Sequence, residues 1–318
     1  MLLTLKEATA LISQKKLLHI SASQELLQKL PQGNWIGGSS EFRAKESGVE
    51  DTEEKLCVFE LGFDTYNIKT YTKENVAYFT ADTYENGFSI VIIPAETEIL
   101  QVYAKNCMNY KDLFLKNVVG WIAGSNTKEA PIVVNGQTGD VFTNEAIILN
   151  VSLPAEKMAT VNVVNIFTAD EKSPRIEFTS EDFLAKTFLV DGKEAVIVDY
   201  AKENGIDLQL PLVAEYYGAE VNVSVVNISE DKVITWGAPL FPGITYRFAK
   251  PLGEYSEVFR SKIQSIEYKN CVFSCNCISN MFHGDLLKYD LGGFYGPYVY
   301  GEIAYQLVNQ TLVYLQIA

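Results

Sequence analysis

The chain has 318 residues, 47% hydrophobic and 21% charged, an ordinary globular composition that excludes disorder as the expected state. The formal net charge of −14, from 26 basic and 40 acidic residues, opposes nucleic acid and anionic membrane surfaces as partners. The densest basic groups, Lys15-Lys16 and Arg43 with Lys45, are too small to reverse that field.

In chain order, the first thirty residues read as two helices. Thr4-Leu-Lys-Glu7 is a capping box, and Leu5, Ala8, Leu11 and Ile12 form an apolar stripe behind it. Ser23 can cap a second helix carrying Leu26, Leu27 and Leu30, stopped by Pro31-Gln-Gly33. Trp35-Ile-Gly-Gly-Ser-Ser40 is a short apolar segment ending in a glycine turn, and residues 41–55 read as a loop or a loosely connected strand. Strands are expected at Leu56–Leu61, Val76–Thr80 and Phe88–Ile93, the last two separated by the Asn86-Gly87 turn signal. Thr97–Ala104 fits either strand or helix, and Tyr110–Leu115 reads as helix.

From residue 130 the rhythm changes to successive strands: Pro131–Val134, Ala146–Leu153, Thr160–Phe167, Phe188–Val190, Val221–Val226, Val233–Trp236 and Thr245–Phe248. Helices are expected over Glu194–Asn204, ended by Gly205, and from Gly253 to about Ile266. Cys271–Cys275 is an apolar strand, left through a polar turn at Asn276–Met281, and Gln310–Ile317 closes the chain. Runs of strands with few inserted helices predict an α+β fold, a two-lobed layered sandwich of mixed and antiparallel sheets with helices outside, with lobes at 1–135 and 136–318.

The five cysteines, Cys57, Cys107, Cys271, Cys275 and Cys277, are odd in number and widely spread, unlike a disulfide framework. No signal peptide and no apolar run of membrane-spanning length is evident, so a soluble, cytoplasmic protein without membrane insertion is expected.

Cys271-x3-Cys275-x-Cys277 followed by His283 offers metal-ligand types at a spacing that suits no common zinc knuckle, and one strand face would bury all three cysteines. No metal site and no cofactor is therefore expected. Cys275 or Cys277 activated by His283 would make a nucleophile, the basis of an alternative reading as a cysteine-dependent enzyme. Gly301-Glu302, at the end of a run of glycines and the tyrosines Tyr295, Tyr298 and Tyr300, can bring backbone, hydroxyls and a carboxylate to a ligand. Gly37-Gly38-Ser39-Ser40 lacks the frame of a phosphate loop.

Several of these pieces, in order, resemble the FIST (F-box and intracellular signal transduction) family of bacterial-type sensory domains. Val190-Asp-Gly-Lys-Glu-Ala195 through Tyr200 is similar to that family's "dG.pA.e.Y" helix, and Leu210-Pro-Leu212 to its "fPL" strand. Pro242-Gly-Ile-Thr245, Phe273-Ser-Cys275-Asn276 and the Gly293–Ile303 hairpin continue the series, and Trp35–Ser40 is similar to the N-terminal "GgsS.G" turn. The arginine that follows "FSC.g" in the family is absent; Ile278 and Ser279 stand there. The resemblance implies a non-catalytic sensory module with a small-molecule ligand such as an amino acid. The pocket would be lined by Cys275, Asn276, Tyr300, Gly301 and Glu302, and a protein partner would carry the output. A scaffold with a vestigial pocket is the remaining alternative.

Overall fold

A computed structural model describes residues 1–318 apart from 41, 46–47, 52–53, 126–128, 217–218 and 285–292. The fold is α+β: layered mixed and antiparallel sheets with short helices on their flanks. The first sheet runs Leu2–Thr4, Lys55–Leu61, Leu17–Ala22, Trp35–Ser39, Val133–Asn135, Asp140–Phe142. The second, central sheet runs Gln306–Val308, Glu302–Ala304, Asn117–Ala123, Gly87–Pro94, Ala146–Ser152, Tyr66–Tyr71. The third runs Ala159–Val164, Leu312–Ile317, Cys271–Cys277, Pro297–Val299, Phe42–Lys45, Gly48–Asp51. The fourth is built from strands between Ile176 and Phe248. A fifth joins Asp182–Ala185, Ile234–Leu240 and Val225–Ile228, with Val225–Ile228 at its edge.

The second and third sheets both combine strands from before and after residue 135, and the Val133–Asn135/Asp140–Phe142 hairpin straddles the expected lobe boundary. The loop or strand expected over 41–55 contains the hairpin Phe42–Lys45/Gly48–Asp51, and residues 41, 46–47 and 52–53 of that stretch lie outside those described.

The N-terminal capping box forms as expected: the Thr4 hydroxyl accepts from Glu7 N–H, and Glu7 accepts from Thr4 N–H and O–H. Ser23 occupies the cap position of the helix Gln24–Gln28 without a side-chain cap bond. Between these helices lies the strand Leu17–Ala22, which the reading of two helices leaves out. All six of its residues are buried, and its period-two signal, His19 and Ser21 alternating with Leu18, Ile20 and Ala22, is short and flanked on both sides by helix signals.

Thr97 caps the helix Glu98–Asn106, which crosses between the parallel strands Gly87–Pro94 and Asn117–Ala123. Val76–Thr80, expected as a strand, is a 3-10 helix over Val76–Asp82 that buries Val76, Phe79 and Thr80 at helical spacing. Tyr110–Leu115, expected as helix, is interrupted by Asp112 at φ +59° and makes only a 3-10 turn at Leu113–Leu115. The helix expected from Glu194 begins at Ile197. Asp191 and Gly192, both at positive φ, instead turn Thr187–Val190 into Lys193–Val196 as a hairpin. Gly37 and Gly38 are not a turn but the middle of a buried strand. A Cβ on Gly38 would stand 2.7 Å from Ile92 and 2.9 Å from Trp121, so glycine there lets the first sheet approach the central one.

Where the first three sheets meet, His19 is fully buried, with Phe59, Trp121 and Phe273 around its ring. Trp121 Nε1 donates to His19 Nε2 at 2.8 Å, which places the imidazole proton on Nδ1, an atom without a hydrogen-bond partner. Burial pushes the His19 pKa down to about 3, so the ring is neutral.

Candidate functional site

The strand Cys271–Cys277 continues two residues beyond the expected end and passes directly into the helix Ile278–His283. Alternation along it fixes where the site residues point. Cys275 is buried and its thiol lies 3.4 Å from the Gly120 carbonyl of the central sheet. Asn276, on the opposite face, accepts from Asn280 Nδ2 at 2.8 Å. Its own amide nitrogen interacts with the Tyr298 hydroxyl on the neighbouring strand without reaching hydrogen-bond geometry. Asn280 also donates to the Thr311 carbonyl at 3.1 Å and accepts from Tyr255 Oη at 2.5 Å.

Gly301 is buried against Leu307 and Ile122, and its carbonyl accepts from Ile122 N–H at 2.9 Å. Tyr300 lays its ring over Gly124 and donates to the Ser125 carbonyl at 3.2 Å. Glu302 is completely buried. Its Oε1 accepts from Thr311 N–H at 3.0 Å and from Thr311 Oγ1 at 2.5 Å. Oε2 has no hydrogen-bond partner, and the Cys277 thiol interacts with the carboxyl. Burial raises the Glu302 pKa to about 8, only partly offset by the Thr311 and Cys277 contacts.

Burial, and secondarily the Glu302 carboxyl, push the Cys275 and Cys277 thiols upward. His283 is lowered by its partial burial, against a weaker upward pull from Asp207. Near neutral pH the cluster is therefore made of protonated thiols, a largely protonated carboxyl and a neutral imidazole. That is the opposite of the thiolate that a cysteine nucleophile or metal ligand needs. Among the described residues, no group of three His, Cys, Asp or Glu side chains stands close enough to hold a metal ion.

The five expected site residues thus sit near one another, yet four of them are buried and only Tyr300 reaches open space. That space is a cleft of about 710 Å³ beside them. One wall is Ser224–Ile228, and the other is Cys277–Ser279 with Phe282 and His283. Tyr300, Gly237, Asn309 and Asp207–Gln209 complete its lining. Val226, Ile228 and Phe282 are 61%, 40% and 60% exposed, so the rim is apolar and open.

A corner that sequence reasoning placed in the closing strand holds the cleft's base. Asn309 Nδ2 donates to the Gly237 carbonyl at 3.2 Å, and Asn222 Nδ2 donates to the Asn309 carbonyl at 3.2 Å. Gln310, buried at φ +49°, accepts from Ser224 Oγ at 2.8 Å and donates to the Gln209 carbonyl at 3.0 Å. Thr311 then holds Glu302. A buried non-glycine residue in the left-handed region is kept there only when its surroundings over-determine it, and these bonds do so. The one sequence signal was the run of three polar residues, Asn309-Gln-Thr, inside an otherwise apolar closing segment.

A second hollow of about 530 Å³ adjoins the cleft across Asp207, Gln209 and His283, walled by Tyr200, Phe248 and Tyr255. No helix among the described residues is long and apolar enough to cross a membrane. In comparisons with known proteins, no curated protein matches the chain. One family profile, described as a family of unknown function (DUF6976), matches residues 3–318. Because that match spans nearly the whole sequence, the chain belongs to the DUF6976 family.

Proposed function

We propose that the protein is a non-catalytic binding module whose ligand occupies the cleft between Ser224–Ile228 and the helix Ile278–His283. The observation that carries this reading is the cleft itself. Its volume of about 710 Å³ lies within the range of ligand sites, and a few polar groups (Ser224, Ser279, Tyr300, Asn309) converge among apolar walls. The protonated state of both neighbouring thiols favours binding over cysteine catalysis. The resemblance to FIST sensory domains points the same way and suggests an amino acid or similar metabolite, a cytoplasmic location and a protein partner for output. Ile278 and Ser279, standing where that family has its arginine, line the cleft. The site therefore recognises its ligand without a guanidinium.

A thermal-shift screen against amino acids and small metabolites tests the reading, with Phe282→Ala as the control because Phe282 is on the rim and largely exposed. A stabilising compound whose effect is lost in Phe282→Ala supports it. A screen without hits, or a hit unchanged in Phe282→Ala, counts against it.

A further inference from the structure

The geometry points to an extended, basic peptide segment as the ligand of this cleft, bound by adding a strand to the edge Val225–Ile228 and resting on the helix Ile278–His283. The inference rests on the cleft being the binding site and names what it binds.

Five consecutive residues, Ser224 to Ile228, line the cleft. Successive side chains of a strand point to opposite faces, so a lining that takes in every residue of Val225–Ile228 fits a cleft that meets the strand at its edge. Val225–Ile228 is the edge of its three-stranded sheet and pairs on one side alone, with Ile234–Leu240. Gly237 N–H donates to the Ser224 carbonyl at 2.8 Å, and Ser229 N–H donates to the Val233 carbonyl at 2.9 Å. These bonds flank the pairs Val225↔Trp236 and Ile228↔Ile234 and make both of them the non-hydrogen-bonded kind. The N–H and C=O of Val225 and Ile228 therefore point away from the hairpin, and no turn or loop backbone bond among the described residues reaches them. A backbone edge that presents donors and acceptors in alternation is matched by another backbone, as in strand addition. The bulge between Val225 and Asn227 adds one residue between the two docking pairs.

The facing wall supplies side-chain recognition. Ile278 and Phe282 are one helical turn apart and line the cleft opposite the edge, while Val226 and Ile228 flank it. A strand of four residues spans about 13 Å, so the bound segment is four or five residues long.

Charge selects the sign of that segment. Asp207 is the one carboxylate lining the cleft, and no lysine or arginine lines it among the described residues. At the turn beyond Ile228, Glu230 and Asp231 are exposed, while Lys232 is held by both Asp199 oxygens at 2.7 and 2.9 Å. On a chain of net charge −14, this acidic margin favours lysine or arginine at the ends of an apolar strand.

The test uses the whole protein and a fluorescein-labelled seven-residue peptide alternating lysine and valine, with binding read by anisotropy. Two counterparts carry N-methyl groups on alternate residues, one in each phase, and a third has glutamate in place of lysine. The parent peptide is expected to bind. One N-methylated phase is expected to bind at least about tenfold more weakly, because its methyl groups replace the N–H donors facing the edge. The glutamate peptide is expected not to bind. Hydrogen exchange at the Val225 and Ile228 amides should slow in the complex. If both N-methylated peptides match the parent, or the two amides are not protected, strand addition is overturned while the cleft stands as a binding site. If the peptide fails to bind while a metabolite hit depends on Phe282, strand addition is again overturned and the small-ligand reading survives. If no probe of either kind binds, both are overturned.

Discussion

Replacing Glu302 with glutamine tests the buried carboxyl that ties the third sheet to the central one. Its folded-state pKa is raised from 4.5 to about 8 by burial. Between those values the unfolded chain has released the proton and the folded chain has kept it. Folding stability therefore falls as pH rises through this window, at about 1.4 kcal/mol per pH unit. His19 acts in the opposite sense. Its folded pKa is lowered from 6.5 to about 3, so the unfolded chain binds the extra proton and stability rises with pH between those values. The two slopes cancel from about pH 4.5 to 6.5 and leave only Glu302 above that, a loss of roughly 2 kcal/mol between pH 6.5 and 8. Glutamine keeps an oxygen for Thr311 and cannot ionise. The Glu302→Gln protein should therefore gain stability up to pH 6.5, stay flat to pH 8, and exceed the wild type there by roughly 4 kcal/mol. Urea unfolding at a series of pH values measures this, followed by the fluorescence of Trp35, Trp121 and Trp236, all buried. If the variant loses stability between pH 6.5 and 8 as the wild type does, Glu302 is not the group responsible.

Glu302→Ala should destabilise by roughly 2–5 kcal/mol at pH 6, since it opens a cavity and leaves both Thr311 donors unpaired, and the urea midpoint reports it. Burial raises Cys271 to about 11 and Cys275 and Cys277 upward, so iodoacetamide at pH 7.5 should label the native protein slowly and the urea-unfolded protein fast at all five cysteines. A rapidly labelled native thiol, located by peptide mass, would restore the cysteine-enzyme reading. Gly120→Ala places a Cβ 2.0 Å from the Val91 carbonyl in the middle of the central sheet and should cost at least about 3 kcal/mol or abolish folding. Gly253→Ala, where the new Cβ meets nothing within 4 Å, is the matched control with a change under about 0.5 kcal/mol.

What was legible in the sequence is what short-range chemistry encodes. The Thr4/Glu7 box, the apolar, isoleucine-rich run of Ala146–Ser152 and the Cys271–Cys277 strand each depend on residues within a few positions of one another. Asn117–Ala123 escaped because a run of apolar residues buried on both faces does not say whether it is strand or helix, and the short alternation of Leu17–Ala22, with His19 and Ser21 on one face, is flanked on both sides by helix signals. Gly38 was read as a turn because glycine's two uses, permitting positive φ and permitting close approach, look alike until the neighbouring sheet is known.

The candidate site divides along the same line. Cys275, Asn276, Tyr300, Gly301 and Glu302 are gathered by strands that local pattern foretells, yet all but Tyr300 support the site from beneath. Cys275 and Glu302 point inward between two sheets, and a carboxyl buried there does its work on Thr311, the last link of the Asn309–Thr311 corner. The open walls come from Ser224–Ile228 and Cys277–His283, separated by about fifty residues of sequence and tied to the Asn309–Thr311 corner by Ser224–Asn309, Ser224–Gln310 and Cys277–Thr311 hydrogen bonds. Nothing within either segment marks it as half of a cleft. The strongest available sign was the polar triplet Asn309-Gln310-Thr311 inside an apolar closing segment. Three consecutive polar residues at buried positions require partners in several directions, and a corner wired in several directions holds separate elements at a fixed spacing. That requirement, rather than the cysteines, is where the sequence points to the cleft.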